Sequence, residues 1–173
     1  MPIAHSTRLF VQRRANFSCE YCGVSEVDSG GELTIDHFQP RSQGGADEQN
    51  NLICSCVRCN QYKRDYWPQK EQQALWNPRL EPASQHFIVT DNGLLQPLTA
   101  KGAFTIQFLR LNRRHLIAHR HQKQQVATQA RLLQQLYDIM QSYEHLTAQQ
   151  TKLIEEQRRL LDEQARFLRH FLD

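Results

Sequence analysis

Between Cys19 and Lys63 the chain sets two Cys-x-x-Cys pairs, Cys19/Cys22 and Cys56/Cys59, around an Asp36-His37 dipeptide, Asn51 and Asn60. Tetrahedral zinc wants four soft ligands, and a Cys-x-x-Cys turn offers two thiolates to one ion without straining the backbone. Two such turns close a site and leave no open position, so the expected zinc is structural. The 33 residues between Cys22 and Cys56 exceed the commonest zinc-ribbon interval, and this insert must fold into something compact between the knuckles. Disulfides are the competing reading. No signal peptide precedes Cys19 and five cysteines is an odd number, which favours zinc and a reducing compartment. The fifth, Cys54, lies in the apolar run Leu52-Ile53-Cys54 and reads as a buried free thiol.

The insert carries a second chemistry. Hydrolysing a phosphodiester needs a base to deprotonate water, a cation to stabilise charge on the phosphorus oxygens and the leaving oxygen, and groups that hold both. His37 is the candidate base, because neutral imidazole accepts a proton near physiological pH. Asp36 and Asn60 offer hard oxygens, which suit Mg²⁺ or Mn²⁺ better than zinc. Successive strand side chains point to opposite faces, so Asp36 and His37 share a site only at a bulge or a strand end. An irregularity is expected there. Lys63, one turn after Asn60 on the same helix face, is expected to reach a phosphate oxygen as a point charge. A lone Asp-His pair on a strand is more often a surface pair, but here all of these residues occur in one order.

Asp36-His37, Asn51-Leu52 and Cys56-x-x-Cys59-Asn60-x-x-Lys63 resemble the HNH endonuclease family, and the resemblance is close across Val11 to Lys63. It implies a ββα-metal fold, with Asp36 and Asn60 holding the catalytic metal. It also implies that Asn51 hydrogen-bonds near the His37 backbone and orients the imidazole. Asn60 stands where the name-giving motif has histidine.

Two strands and a helix must position these residues. One apolar run ends in Asp36-His37, a loop with Pro40 and Gly44-Gly45 follows, a second run starts at Asn51, and a helix begins near Cys56. Upstream, Ser6 to Arg14 reads as a short helix started by a Ser or Thr cap, with Arg13 and Arg14 facing DNA or solvent. Downstream, Asn92-Gly93 between apolar runs signals a hairpin. The aromatic residues of this segment read as packing residues.

Net charge is +3, yet its distribution is uneven. From Asn92 to Tyr137 there is no acidic residue, while seven Lys or Arg occur, among them Arg110, Arg113, Arg114 and Arg120. Solvated helix faces normally mix signs, so these four arginines are expected to contact nucleic acid. From Leu132 onward apolar residues recur every seven positions at Ile139, Leu146, Leu153, Leu160 and Phe167. This describes one long helix, or two in phase if Thr147 and Gln150 form a capping box. Gln150, Gln157 and Gln164 on the seam argue against a strict two-stranded zipper.

The expectation is an α+β chain: a zinc-stapled ββα-metal (HNH) nuclease core over 1–80, a small β-hairpin and connecting helix over 81–112, and a mainly α-helical extension over 113–173. The expected activity is metal-dependent endonucleolytic hydrolysis of double-stranded DNA, with structural Zn²⁺ and catalytic Mg²⁺ or Mn²⁺, as the effector of a bacterial defence or mobile-element system. The alternative is a catalytically inactive zinc-stabilised DNA-binding module. A cytoplasmic location, no membrane span, and a homodimer or protein partner through the C-terminal helices complete the reading.

Overall fold

The computed structural model describes residues 3–69 and 73–172. The chain divides into two compact units, Met1–Gln125 and Val126–Asp173. The segments 1–80 and 81–112, read separately from the sequence, both fall in the first unit. The α+β class holds: small two-stranded sheets sit among helices.

In the first unit, α1 (His5–Arg14), α2 (Glu26–Ser29), β1 (Leu33–His37), β2 (Leu52–Cys56) and α3 (Val57–Lys63) come first. β1 pairs antiparallel with β2 in one unbroken register from Leu33 opposite Cys56 to His37 opposite Leu52. Of the two irregularities expected at Asp36-His37, a bulge or a strand end, the register leaves no bulge. His37 is instead the last residue of the strand, and the Phe38 N–H continues the ladder to the Asn51 carbonyl at 2.7 Å. Alternation along β1 is preserved, so Asp36 and His37 project to opposite faces.

Helices α1 and α3 pack on this hairpin. Val11, Leu52, Ile53 and Cys54 are fully buried, which makes β2 the spine of the core. α1 begins one residue before the expected cap: Ala4 is its N-cap, without a side-chain hydrogen bond. Arg14 turns inward, donating to the carbonyls of Gln49 (2.7 Å) and Leu52 (2.6 Å). Arg13 stays exposed.

β3 (Phe87–Val89) and β4 (Leu95–Pro97) form the hairpin that Asn92-Gly93 signals, and Gly93 takes the left-handed φ of +82° that the turn demands. α4 (Ala100–Phe108), capped by the Thr99 hydroxyl on the Gly102 N–H, packs on β4. The aromatic residues pack on one another: Tyr66 lies 4.4 Å from Phe108 between ring centroids, and Trp76 5.1 Å from Phe87, edge to face.

α5 runs without a break from Arg114 to Leu172. The capping box at Thr147 does not form, because the Thr147 hydroxyl bonds back to the Tyr143 carbonyl (2.8 Å), an arrangement compatible with a continuing helix. In the unit from Val126 onward, Leu132, Ile139, Leu146, Leu153, Leu160 and Phe167 are all exposed. No helix among the described residues is long and apolar enough to cross a membrane.

Candidate functional site

The four paired cysteines come from two places. Cys19 and Cys22 lie on a tight turn closed by the Gly23 N–H on the Cys19 carbonyl (2.7 Å), while Cys56 ends β2 and Cys59 sits in the first turn of α3. Glu20 joins the two, its carboxylate accepting from the Cys54 N–H (2.7 Å) and its own N–H donating to the Cys54 carbonyl (2.8 Å). Arg14 and Arg79 pair with the same buried carboxylate.

All four thiols are buried, and their sulfurs lie within 4.8 Å of one another. A zinc–sulfur bond of about 2.3 Å sets the edge of a regular tetrahedron at about 3.8 Å. Cys22 Sγ and Cys56 Sγ stand 3.8 Å apart. None of the five cysteines is in a disulfide. Hydrogen bonding from Cys19 pulls the Cys56 thiol below its ordinary range. This donor set fits zinc. Cys54 stays apart as a free buried thiol, pushed up to about 12 by burial.

A zinc bound by four thiolates carries excess negative charge, and nearby donors offset it. Arg113 would fill this role, with Nη2 3.9 Å from Cys59 Sγ and Nη1 on the Leu109 carbonyl at 2.8 Å. Arg120 is half-buried and spreads its guanidinium over the Gly93 carbonyl (2.7 Å), the Leu111 carbonyl (3.0 Å) and Asn112 Oδ1 (3.0 Å). Both were expected to meet nucleic acid. The structure turns them inward, because carbonyls left over at the hairpin turn and helix ends need donors. Arg110 and Arg114 remain exposed, Arg110 lying over the Tyr62 ring at 5.1 Å.

The second constellation lies where β1 meets α3. Asp36 Oδ2 pairs with the Lys63 ammonium at 3.1 Å, and burial raises the Asp36 carboxyl above its usual range against that pairing. Lys63 is itself buried, with Nζ also on the His37 carbonyl at 2.6 Å. It cannot serve as the solvent-facing phosphate contact expected of it. A residue at the C-terminal end of a short helix, packed on a strand that ends in an open carbonyl, is drawn to that carbonyl.

Asn60 donates to the Thr34 hydroxyl at 3.3 Å. The only hydroxyl hydrogen of Thr34 goes to the Ser55 carbonyl (3.1 Å), so Thr34 must accept from Asn60 and the amide oxygen of Asn60 is left free to ligate. Asp36 Oδ2 is buried, and its charged partner is the Lys63 ammonium. Two hard oxygens on neighbouring elements suit a cation that keeps several of its waters. The Lys63 ammonium on the same carboxylate opposes it.

On the other face, His37 Nε2 lies 2.7 Å from Asp47 Oδ1. Arg41 grips Asp47 through both carboxylate oxygens, at 2.7 and 2.6 Å from Nη2. Asn51 accepts from the Gln39 N–H (2.8 Å) and donates to the carbonyls of Gln39 (3.0 Å) and Ala46 (2.9 Å). It holds the loop after His37, not the imidazole. Asp47, Arg41 and Thr34 were not legible as site residues, since nothing in the spacing distinguishes them from ordinary loop and strand residues.

Residues 19–65 match the HNH endonuclease family. Among curated proteins, the chain is 28% identical to the Septu protein PtuB of Bacillus mycoides over 148 residues, 66% of this chain and 50% of that one. It is 25% identical to the Septu protein PtuA of the same organism over 143 residues, 65% of this chain and 20% of that one. Over 52 residues it is 42% identical to the CRISPR-associated endonuclease Cas9 of Corynebacterium diphtheriae, 30% of this chain and 5% of that one. The chain thus spans half or less of the length of these relatives. No solved structure matches it.

Proposed function

We propose, on the premise that residues 19–65 form an HNH endonuclease domain, that the chain is a metal-dependent endonuclease hydrolysing DNA phosphodiester bonds. The observation that carries this reading is the gathering of candidate groups at the end of β1: His37 held by Asp47 on one face, and on the other Asp36 together with Asn60 of α3, which bonds to Thr34 of the same strand. His37 takes the proton from the attacking water. Asp36 and Asn60 hold Mg²⁺ or Mn²⁺, which when bound supplies positive charge to the phosphate oxygens. Lys63 braces Asp36 and the strand end, and Asn51 braces the following loop. The zinc of Cys19, Cys22, Cys56 and Cys59 keeps β2 and α3 joined to the N-terminal knuckle.

Duplex DNA is the proposed substrate. Arg110 and Arg114, both exposed, together with exposed Arg58 on α3, are the proposed phosphate contacts. Similarity to Septu proteins and to a CRISPR-associated endonuclease supports a role as a defence effector. The exposed apolar stripe from Leu132 to Phe167 is the proposed docking surface for a protein partner or a second copy.

The test is cleavage of supercoiled plasmid by the full chain with Mg²⁺, Mn²⁺ or EDTA. Wild type should cut with either metal and stop in EDTA. His37→Ala should lose cutting by roughly 10²-fold or more while still binding plasmid. Cutting by His37→Ala at the wild-type rate would remove His37 as the base. One observation favours the second reading, a zinc-stabilised binding module: the Asp36 charge is already paired with Lys63. Plasmid binding without cutting in either metal would support that module.

A further inference from the structure

We propose that Asp47 is the positioning residue for His37, and that Asn51 acts on the base through Asp47; this deepens the endonuclease reading and rests on it. A carboxylate held by Arg41 only accepts hydrogen bonds, and hydrogen bonding from Arg41 keeps the Asp47 carboxyl below its usual range. His37 Nε2, 2.7 Å from Asp47 Oδ1, must therefore carry a hydrogen. In the neutral ring the bare nitrogen is then Nδ1, the only one able to take a proton from water.

The loop is built to present Asp47 there. Ten residues separate the two side chains in sequence, and three devices fold that distance back. The Pro40 carbonyl accepts from both the Gln43 and Gly45 N–H groups (2.9 and 3.0 Å), closing a turn around Arg41–Gln43. Gly45 packs so closely on the Gln39 carbonyl that any Cβ would collide with it. Asn51 ties Gln39 to Ala46, the residue before Asp47. The role that sequence resemblance assigns to Asn51 at the imidazole is thus carried by its neighbour across the loop.

In the step, the water oxygen forms a bond to phosphorus as one P–O ester bond breaks, and the leaving oxygen takes up a proton from solvent. The water's proton goes to His37 Nδ1. Nε2–H stays bonded to Asp47, whose charge stabilises the imidazolium until it loses the proton to solvent. The Asp47 side chain is 47% exposed, so its pairing adds little to folding. Its effect is on the direction and tautomer of the ring.

The experiment uses zinc-loaded full chain with Asp47→Ala and Asp47→Glu. On supercoiled plasmid with Mg²⁺, Asp47→Ala should lower kcat about tenfold or more with little change in KM, and Asp47→Glu should recover part of the loss. Zinc content and thermal midpoint should match wild type in both. A second readout is independent of activity: ¹⁵N spectra of the imidazoles, with His37 identified by its absence in His37→Ala. Wild type should show Nε2 protonated and Nδ1 bare, and Asp47→Ala should show mixed tautomers. Unchanged kcat in Asp47→Ala, raised kcat (a carboxylate acting as a brake), or a wild-type ring protonated on Nδ1 would each overturn the proposal. If wild type does not cut plasmid, the endonuclease reading fails, while the tautomer spectra still decide whether Asp47 sets the ring.

Discussion

Replacing Asn51 with alanine removes three hydrogen bonds that close the loop between β1 and β2, to the Gln39 N–H and to the carbonyls of Gln39 and Ala46. A net contribution of about 1 kcal/mol per bond would give about 3 kcal/mol, and partial exposure of the loop reduces this to about 2 kcal/mol. At about 1.4 kcal/mol per factor of ten, local opening should become about 30-fold more frequent. The direct assay is amide hydrogen exchange at Gln39, whose N–H is donated to Asn51 Oδ1. Asn51→Asp is the companion variant. It keeps an acceptor for Gln39 but turns a charged oxygen toward two carbonyls, so it should lose at least as much protection as alanine. Cys56 and Cys59 lie at the far end of β2 and in α3, away from this loop, and neither variant should release zinc. Exchange at Gln39 within about twofold of wild type in Asn51→Ala would refute the argument that Asn51 holds the loop.

Chelating the zinc, or Cys56→Ser, should unfold the region around β1, β2 and α3, since structural zinc supplies about 10 kcal/mol or more in small domains. Because ligation needs deprotonated thiols and protons compete with the metal for them, this stability is lost as pH falls below neutral, measured by zinc release and circular dichroism together. The double variant Arg110→Gln/Arg114→Gln should lower the log–log salt slope of DNA binding by about 1.8, at 0.9 per lost phosphate contact, and leave the thermal midpoint unchanged. Arg120→Gln should do the reverse, keeping the slope and costing about 2 kcal/mol through its lost carbonyl contacts. Lys63→Met should cost about 3 kcal/mol in urea titration because it strands the buried Asp36 carboxylate, and adding Asp36→Asn should restore most of that. Equal stability of Lys63→Met and wild type would show that the pair does not brace the strand end.

The sequence by itself determined what short-range chemistry decides. Two Cys-x-x-Cys turns offer a four-thiolate set wherever they fold, Asn92-Gly93 makes a hairpin turn through the backbone freedom of Gly93, and the family resemblance carried by Asp36-His37, Asn51-Leu52 and Cys56-x-x-Cys59-Asn60 pointed to the HNH match over residues 19–65. The seven-residue repeat from Leu132 to Phe167 correctly pointed to helix, although whether it broke at Thr147 hung on one hydroxyl, which bonds back within the helix. Tertiary structure alone decided where the long side chains end. Lys63, Arg113 and Arg120 look alike in a list of cations, yet each reaches a backbone oxygen: Lys63 at His37, Arg113 at Leu109, Arg120 at Gly93. A flexible cationic side chain goes to whichever unsatisfied oxygen the fold leaves within reach, and for Lys63 and Arg120 that oxygen lies 26 and 27 residues away in sequence. The Asp47 contact to His37 has the same origin, for it exists only once Gly45 and Asn51 have folded the intervening loop back on Gln39.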